Sequence, residues 1–370
     1  MQKITLTLCA FIAVATTSYG AYNKENISPN QQACEQNKAH VHPDDLYDLA
    51  AAYMHGKGVK KDFKKAETYL NQAAQMGDAK SLYYLGINYI TGDFFPKKPK
   101  IGLEYLISAH KKKLTEATHA LAYHYFEGKN TKKDPSLAFS YFEDAASKDH
   151  PDALYQVGLH YFNGDVVPQN QKTAFTYFRT AAIKDHPYAL YYAASCYFYG
   201  HGTNRDYRSA ATYFNRAHTL GHADSTFWMG LLHLEGYHFR VNKEKAIEYF
   251  RLAENHAPSL FQLACICLKG HIANEMPEEA INYLIRPAAM KDPRCLMLLS
   301  LMCKNGIGCQ KDEALANNYK NAAAQTEDEY QKLTWQIIDC LGDNLFISLF
   351  YRMPGVSSYI IDGSNVPPAA

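Results

Sequence analysis

Along Ser81-Leu82-Tyr83-Tyr84-Leu85-Gly86-Ile87-Asn88-Tyr89 the apolar positions fall at 82, 85, 86 and 89, the spacing of one helical face. A second pattern, Lys65-Ala66-Glu67-Thr68-Tyr69-Leu70-Asn71-Gln72-Ala73-Ala74, sets Ala66, Tyr69, Leu70 and Ala73 on one stripe. The first pattern predicts a helix A and the second a helix B. Helix A stops at glycines such as Gly56 and Gly58 or Gly200 and Gly202, which accept the left-handed conformation that closes a helix end. Asp62, Asp134, Asp206 or Asn242 then supplies an acceptor for the free N–H groups that open helix B. Asp134-Pro135 adds a proline where the first-turn N–H has no partner anyway.

The pair of helices recurs. Gly56, Gly92, Gly128, Gly164, Gly200, Gly236, Gly270 and Gly306 are spaced by 36 residues throughout, apart from one step of 34. A second register keeps step with it through Ala66, Gly102, Ala138, Ala174, Ala210, Ala246, Ala280 and Ala314. Small residues on both helices, Gly86, Gly158 and Gly230 on A and Ala66, Ala174 and Ala210 on B, let the backbones approach while aromatic side chains fill the remaining volume. One hairpin cannot bury its apolar face alone, whereas stacked copies can. The expected fold is therefore all-α, a right-handed α–α superhelix of eight helix–turn–helix repeats over residues 45–324.

His55-Gly56-Lys57-Gly58-Val59-Lys60-Lys61-Asp62-x-x-Lys65-Ala66 resembles the signature of the Sel-one-like repeat, a relative of the tetratricopeptide repeat, and Tyr197-Phe198-Tyr199-Gly200-His201-Gly202 repeats it. The resemblance covers about three quarters of the chain. It departs at Gly102, which replaces the helix B alanine, and in several units that lack the second glycine. It implies an adaptor that binds a protein or peptide, in bacteria at the envelope or in contact with host cells, and it implies no cofactor. A cysteine-rich subclass of such exported proteins is associated with penicillin binding, so the alternative is a cell-wall-related enzyme or β-lactam-binding factor. Units one to four of the mature chain hold no cysteine, which weakens that analogy.

The ends change the picture next. Lys3, the apolar run Ile4 to Ala15 and Ser18-Tyr19-Gly20 before Ala21 form the pattern of a secretory signal peptide over residues 1–20, so the chain is expected to be exported, periplasmic or secreted. Residues 21–44 read as a mobile leader. Thr326-x-x-Glu329 reads as a capping box that opens a C-terminal capping helix region over 325–353, followed by a flexible tail over 354–370. No later stretch is long and apolar enough to predict an integral membrane segment. Thirty-eight Lys+Arg against 37 Asp+Glu give a formal charge of +1, which excludes the basic footprint of a nucleic-acid binder.

Catalytic constellations are scarce. Ser108-Ala109-His110-Lys111 has the S-x-x-K spacing but lacks the S-D-N and K-T-G partners that make a serine nucleophile in penicillin-recognising enzymes. Among the sixteen histidines, His119 and His124, His218 and His222, and His233 and His238 are close in sequence without a carboxylate in register, so they read as structural or surface residues and no metal site is expected. The cysteines lack the doublets of a zinc site. In helix-pair arrays helix A lines the inner curve, so partner contact is expected on the concave face at Tyr84, Asn88, His124, Gln156, His160, Asn163, Tyr192, Tyr199, Trp228 and Glu235.

Overall fold

The computed structural model describes residues 42–253, 255–268 and 277–325. The expected signal peptide, nearly all of the leader, the capping helix and the tail lie outside the described residues. Sixteen helices and no strand occur among the described residues. Eight of them are A helices: α1 (Pro43–His55), α3 (Ala79–Thr91), α5 (Thr115–Glu127), α7 (Pro151–Asn163), α9 (Pro187–Tyr199), α11 (Ala223–Glu235), α13 (Ala257–Leu268) and α15 (Pro293–Asn305). The B helices alternate with them: α2 (Phe63–Gln75), α4 (Pro99–Lys111), α6 (Pro135–Ser147), α8 (Gln171–Ile183), α10 (Tyr207–Thr219), α12 (Lys243–Leu252), α14 (Pro277–Ala289) and α16 (Glu313–Ala324). The fold is all-α, as the period requires. The first helix opens at Pro43, two residues before the expected onset at Asp45, because His42 stands at its cap.

Two compact units divide the chain, one ending at Asn170 and the other beginning at Gln171. In both, the hairpin is fixed by the same few bonds. Gly56 at φ 71° and Gly200 at φ 81° end their A helices, each returning its N–H to a carbonyl of the last turn. In the first unit Asp62 N–H donates to Tyr53 O at 3.1 Å and Asp134 N–H to Tyr125 O at 2.9 Å; in the second, Asp206 N–H donates to Tyr197 O at 2.8 Å and Asn242 N–H to His233 O at 2.9 Å. The side chains of these same residues then cap helix B, as Asp134 Oδ1 does for Leu137 N–H at 3.0 Å and Asn242 Oδ1 for Lys245 N–H at 2.8 Å. One short residue thus closes the loop with its backbone and opens the helix with its side chain.

The core repeats with the same period. Leu70, Leu106 and Phe142 in the first unit, and Phe178, Phe214, Phe250 and Leu284 in the second, are completely buried at matching positions of successive B helices. Small residues let the helices close on them. A Cβ at Gly102 would lie 2.6 Å from Gly86 O, so the glycine that replaces alanine in the second repeat brings α4 against α3. A Cβ at Gly230 would overlap the Phe250 ring, so that glycine makes the space that ring fills.

A second stack runs beside this core, where a helix A ring lies over the helix B tyrosine of its own repeat. Tyr53 and Tyr69, Tyr89 and Tyr105, and Tyr125 and Tyr141 each stack with centroids 5.8 Å apart. In the second unit Tyr197 and Tyr213 are 5.5 Å apart and His233 and Tyr249 5.7 Å. Cys267 and Cys303 occupy the helix A position in the last two repeats, opposite Tyr283 and Tyr319.

Candidate functional site

The expected partner residues divide by burial. Asn88, His160 and Trp228 are only 5%, 2% and 4% exposed, which corrects the expectation that they face a partner. Asn88 donates to Tyr84 O of its own helix at 2.8 Å, and His160 Nδ1 meets Asp165 Oδ1 at 2.8 Å beneath the edges of Phe126 and Phe139. Trp228 lies parallel to Phe214 with centroids 5.3 Å apart, as core. Asn163 and Glu235 are exposed, and Tyr84, His124, Gln156, Tyr192 and Tyr199 are half-buried. In the first unit Tyr84 is edge-on to Tyr47, and Gln156 Nε2 donates to Tyr123 Oη at 2.7 Å. Burial lowers the pKa of His124. In the second unit Tyr192 stacks on Phe178 at 5.0 Å.

Around Tyr199 the second unit carries an aromatic patch that helical spacing alone does not show, because it joins the end of α9, the start of α10 and the loop after α11. Tyr237, directly after the glycine that ends α11, is 40% exposed and rests on Phe198 at 4.9 Å and Tyr207 at 5.2 Å. Tyr199 packs against Phe198 at 4.9 Å and against Trp228 at 6.1 Å. Burial raises the Tyr199 phenol well above its ordinary pKa, and burial followed by the Glu235 charge raises that of Tyr237. Both rings therefore present a neutral hydroxyl on a braced apolar body.

Histidine has a role here that composition does not reveal. His150, His186 and His222 are the N-caps of α7, α9 and α11, accepting through Nδ1 the N–H of Ala153 at 3.4 Å, Ala189 at 3.1 Å and Ser225 at 3.2 Å. An imidazole nitrogen accepts an N–H through its lone pair, so this cap bond is made by a ring nitrogen that carries no hydrogen. Ser, Thr, Asp and Asn are the usual caps, so residue preference does not single out a histidine there. At the next equivalent turn His256 Nδ1 meets Ser259 Oγ at 3.0 Å while Nε2 meets Asp224 Oδ1 at 2.9 Å.

That Asp–His–Ser order imitates a catalytic triad, but Ser259 is fully buried and no acyl group reaches it. Ser108 also points away from chemistry, donating to Glu104 O at 2.8 Å. Burial raises the Cys196 thiol to about 12, and burial with the neighbouring Cys309, whose sulfur is 3.7 Å away, raises Cys303 to about 11. Neither is the low-pKa thiol of a cysteine nucleophile. No helix among the described residues is long and apolar enough to cross a membrane.

The chain matches solved structures of the same kind. A Sel1 repeat protein from Oxalobacter formigenes is 18% identical over 87% of this chain and 98% of its own, with a TM-score of 0.61, and shows the fold. A protective antigen of uropathogenic Escherichia coli with an SLR fold is 19% identical over 81% of this chain and 79% of its own, at a TM-score of 0.47. An immunity protein from Pseudomonas aeruginosa is 19% identical over 63% and 87%, at 0.38. No curated protein sequence matches the chain. The Sel1 repeat model matches residues 43–78, 79–111, 115–150, 151–186, 187–222, 223–256 and 293–325. Seven of the eight helix pairs thus carry the family pattern, and the pair α13 and α14 keeps the hairpin without it. With more than half its length matched, the chain belongs to the Sel1 repeat family.

Proposed function

We propose that this chain is an exported scaffold that takes a protein or peptide partner on the aromatic patch of its second unit, with Tyr199, Tyr207 and Tyr237 as anchors and Glu235 at the rim. Sel1 repeats generally mediate protein interactions and are generally non-enzymatic. The observation that carries the reading is the exposed Tyr237 ring held on buried Phe198. A tyrosine already braced loses little side-chain entropy on binding, and its neutral hydroxyl gives orientation.

Peptides selected from a displayed library on the full-length protein should lose more than about tenfold in affinity with Tyr237→Ala, the cost of truncating an aromatic anchor. Asn163→Ala in the first unit should leave affinity unchanged. Equal binding to wild type and Tyr237→Ala would remove the patch from consideration. Export rests on Lys3, the apolar run and Gly20-Ala21. Mass spectrometry of the protein recovered from outside the cytoplasm should give Ala21 as its first residue, and an intact Met1 would reject export by this signal.

A further inference from the structure

His119, His150 and Asp152 converge in the first unit from two A helices. His119 lies in the middle of α5, His150 is the cap of α7 and Asp152 is in its first turn. One ligand atom from each lies within 4.8 Å of the other two. The two imidazoles stack at 4.2 Å, and Asp152 Oδ2 is 3.8 Å from His150 Nδ1. Tyr123, at 4.9 Å, and Phe142, at 6.0 Å, cover His119 from its own repeat, and Asp152 is the most exposed of the three. We propose that these three side chains bind a first-row transition metal dication such as Zn²⁺ or Co²⁺.

Two imidazoles and one carboxylate suit a borderline cation better than Ca²⁺ or Mg²⁺, which take oxygen donors. Three protein donors leave a position for water. Tetrahedral coordination at about 2.0 Å needs donors about 3.3 Å apart, so the site closes slightly on the ion. Asp152 supplies the negative charge that offsets the positive end of α7.

The cap of α7 is coupled to the ion. An ion on His150 Nδ1 takes the lone pair used by Ala153 N–H, and one on Nε2 requires the ring proton to move to Nδ1, which also ends the cap. The bond given up is the weakest of the three, at 3.4 Å against 3.1 Å and 3.2 Å for His186 and His222.

The repeat itself supplies the control. At the position of His119 the other repeats carry Tyr47, Tyr83, Tyr155, Tyr191, Phe227, Phe261 and Met297. The three ligating types coincide here; Tyr191, His222 and Asp224 are the same positions two repeats on, with a ring in place of the third donor. His119→Tyr is therefore a substitution the fold already accommodates.

Titration of the metal-free full-length protein with Co²⁺, followed by its visible d–d absorption, tests the site. The expected result is one tetrahedral-type band whose affinity falls more than about tenfold in His119→Tyr and in the near-isosteric Asp152→Asn. Tyr191→His should add a second bound ion. Circular dichroism separates ligand loss from misfolding, and Asp152→Asn stands as the test if His119→Tyr does not fold. Absence of the band at millimolar Co²⁺, or unchanged affinity in a folded Asp152→Asn, would overturn the proposal.

Discussion

The same corner of the repeat is built differently in the two units. In the first, His119 stacks on the cap His150, and Asp152 Oδ2 lies 3.8 Å from the Nδ1 of that cap. In the second, Tyr191 lies on the cap His222 at 5.0 Å, Tyr188 meets the same imidazole edge-on at 5.0 Å, and Asp224, 4.0 Å from His222 Nε2, meets His256, the residue directly before α13, at 2.9 Å. One backbone frame therefore holds either a cluster of donors or a braced ring. On helix A the two differ by His119 against Tyr191, whereas the cap histidine and the aspartate two residues after it are the same types in both.

If the two corners differ only at this polar edge, the cores beneath them should respond alike. Phe142→Ala in the first unit and Phe214→Ala in the second, both fully buried, should each cost about 3–5 kcal/mol, read from urea unfolding. A large disparity between them would mean that the corners differ in packing as well as in chemistry.

Removing a cap is the next largest effect. His222→Ala should cost about 1–2 kcal/mol, and His222→Asp should recover most of it, since Asp78 and Asp292 cap α3 and α15 from the same position. Failure of aspartate to rescue would show that the imidazole ring, packed on Tyr191, matters more than its acceptor.

Acid should sharpen the contrast. Burial holds the His222 pKa below its ordinary value, Asp224 opposes this, and His256 and His186 reinforce it. The unfolded chain then binds the proton more readily than the folded one. Stability present above about pH 6.5 is lost as pH falls through that value toward the folded-state pKa, by at most about 1.4 kcal/mol per pH unit for this group. Urea midpoints measured between pH 7.5 and 5 should fall less steeply in His222→Asp than in wild type. The smallest effect belongs to the exposed Asn163, where alanine should change stability by under about 0.5 kcal/mol.

The period, the helix ends and the buried B-helix stripe were legible because each is a local rule repeated. Gly56 and Gly200 had to end helices, and Asp134 and Asn242 had to begin them. Facing was harder to read. Tyr84, Tyr192 and Trp228 share one register, yet the first two are half-buried and Trp228 is core, because Phe198 and Phe214 of the preceding repeat close over it. Gly102 departs from the alanine of the other repeats, and its packing explains the departure, since a Cβ there would meet Gly86 across the hairpin. The histidine caps escaped notice since the preference for short oxygen side chains at that position is strong, and the His119 cluster escaped because its members are 31 and 33 residues apart, joined by stacking and not by helical spacing.

His186 and His222 perform one task at the seams on either side of Pro187–His222, a matched repeat of its own. Excising that segment would set His186 against Ala223 and leave a finished helix start at the splice. A lineage bearing such joints can shed or duplicate whole modules without inventing a new junction.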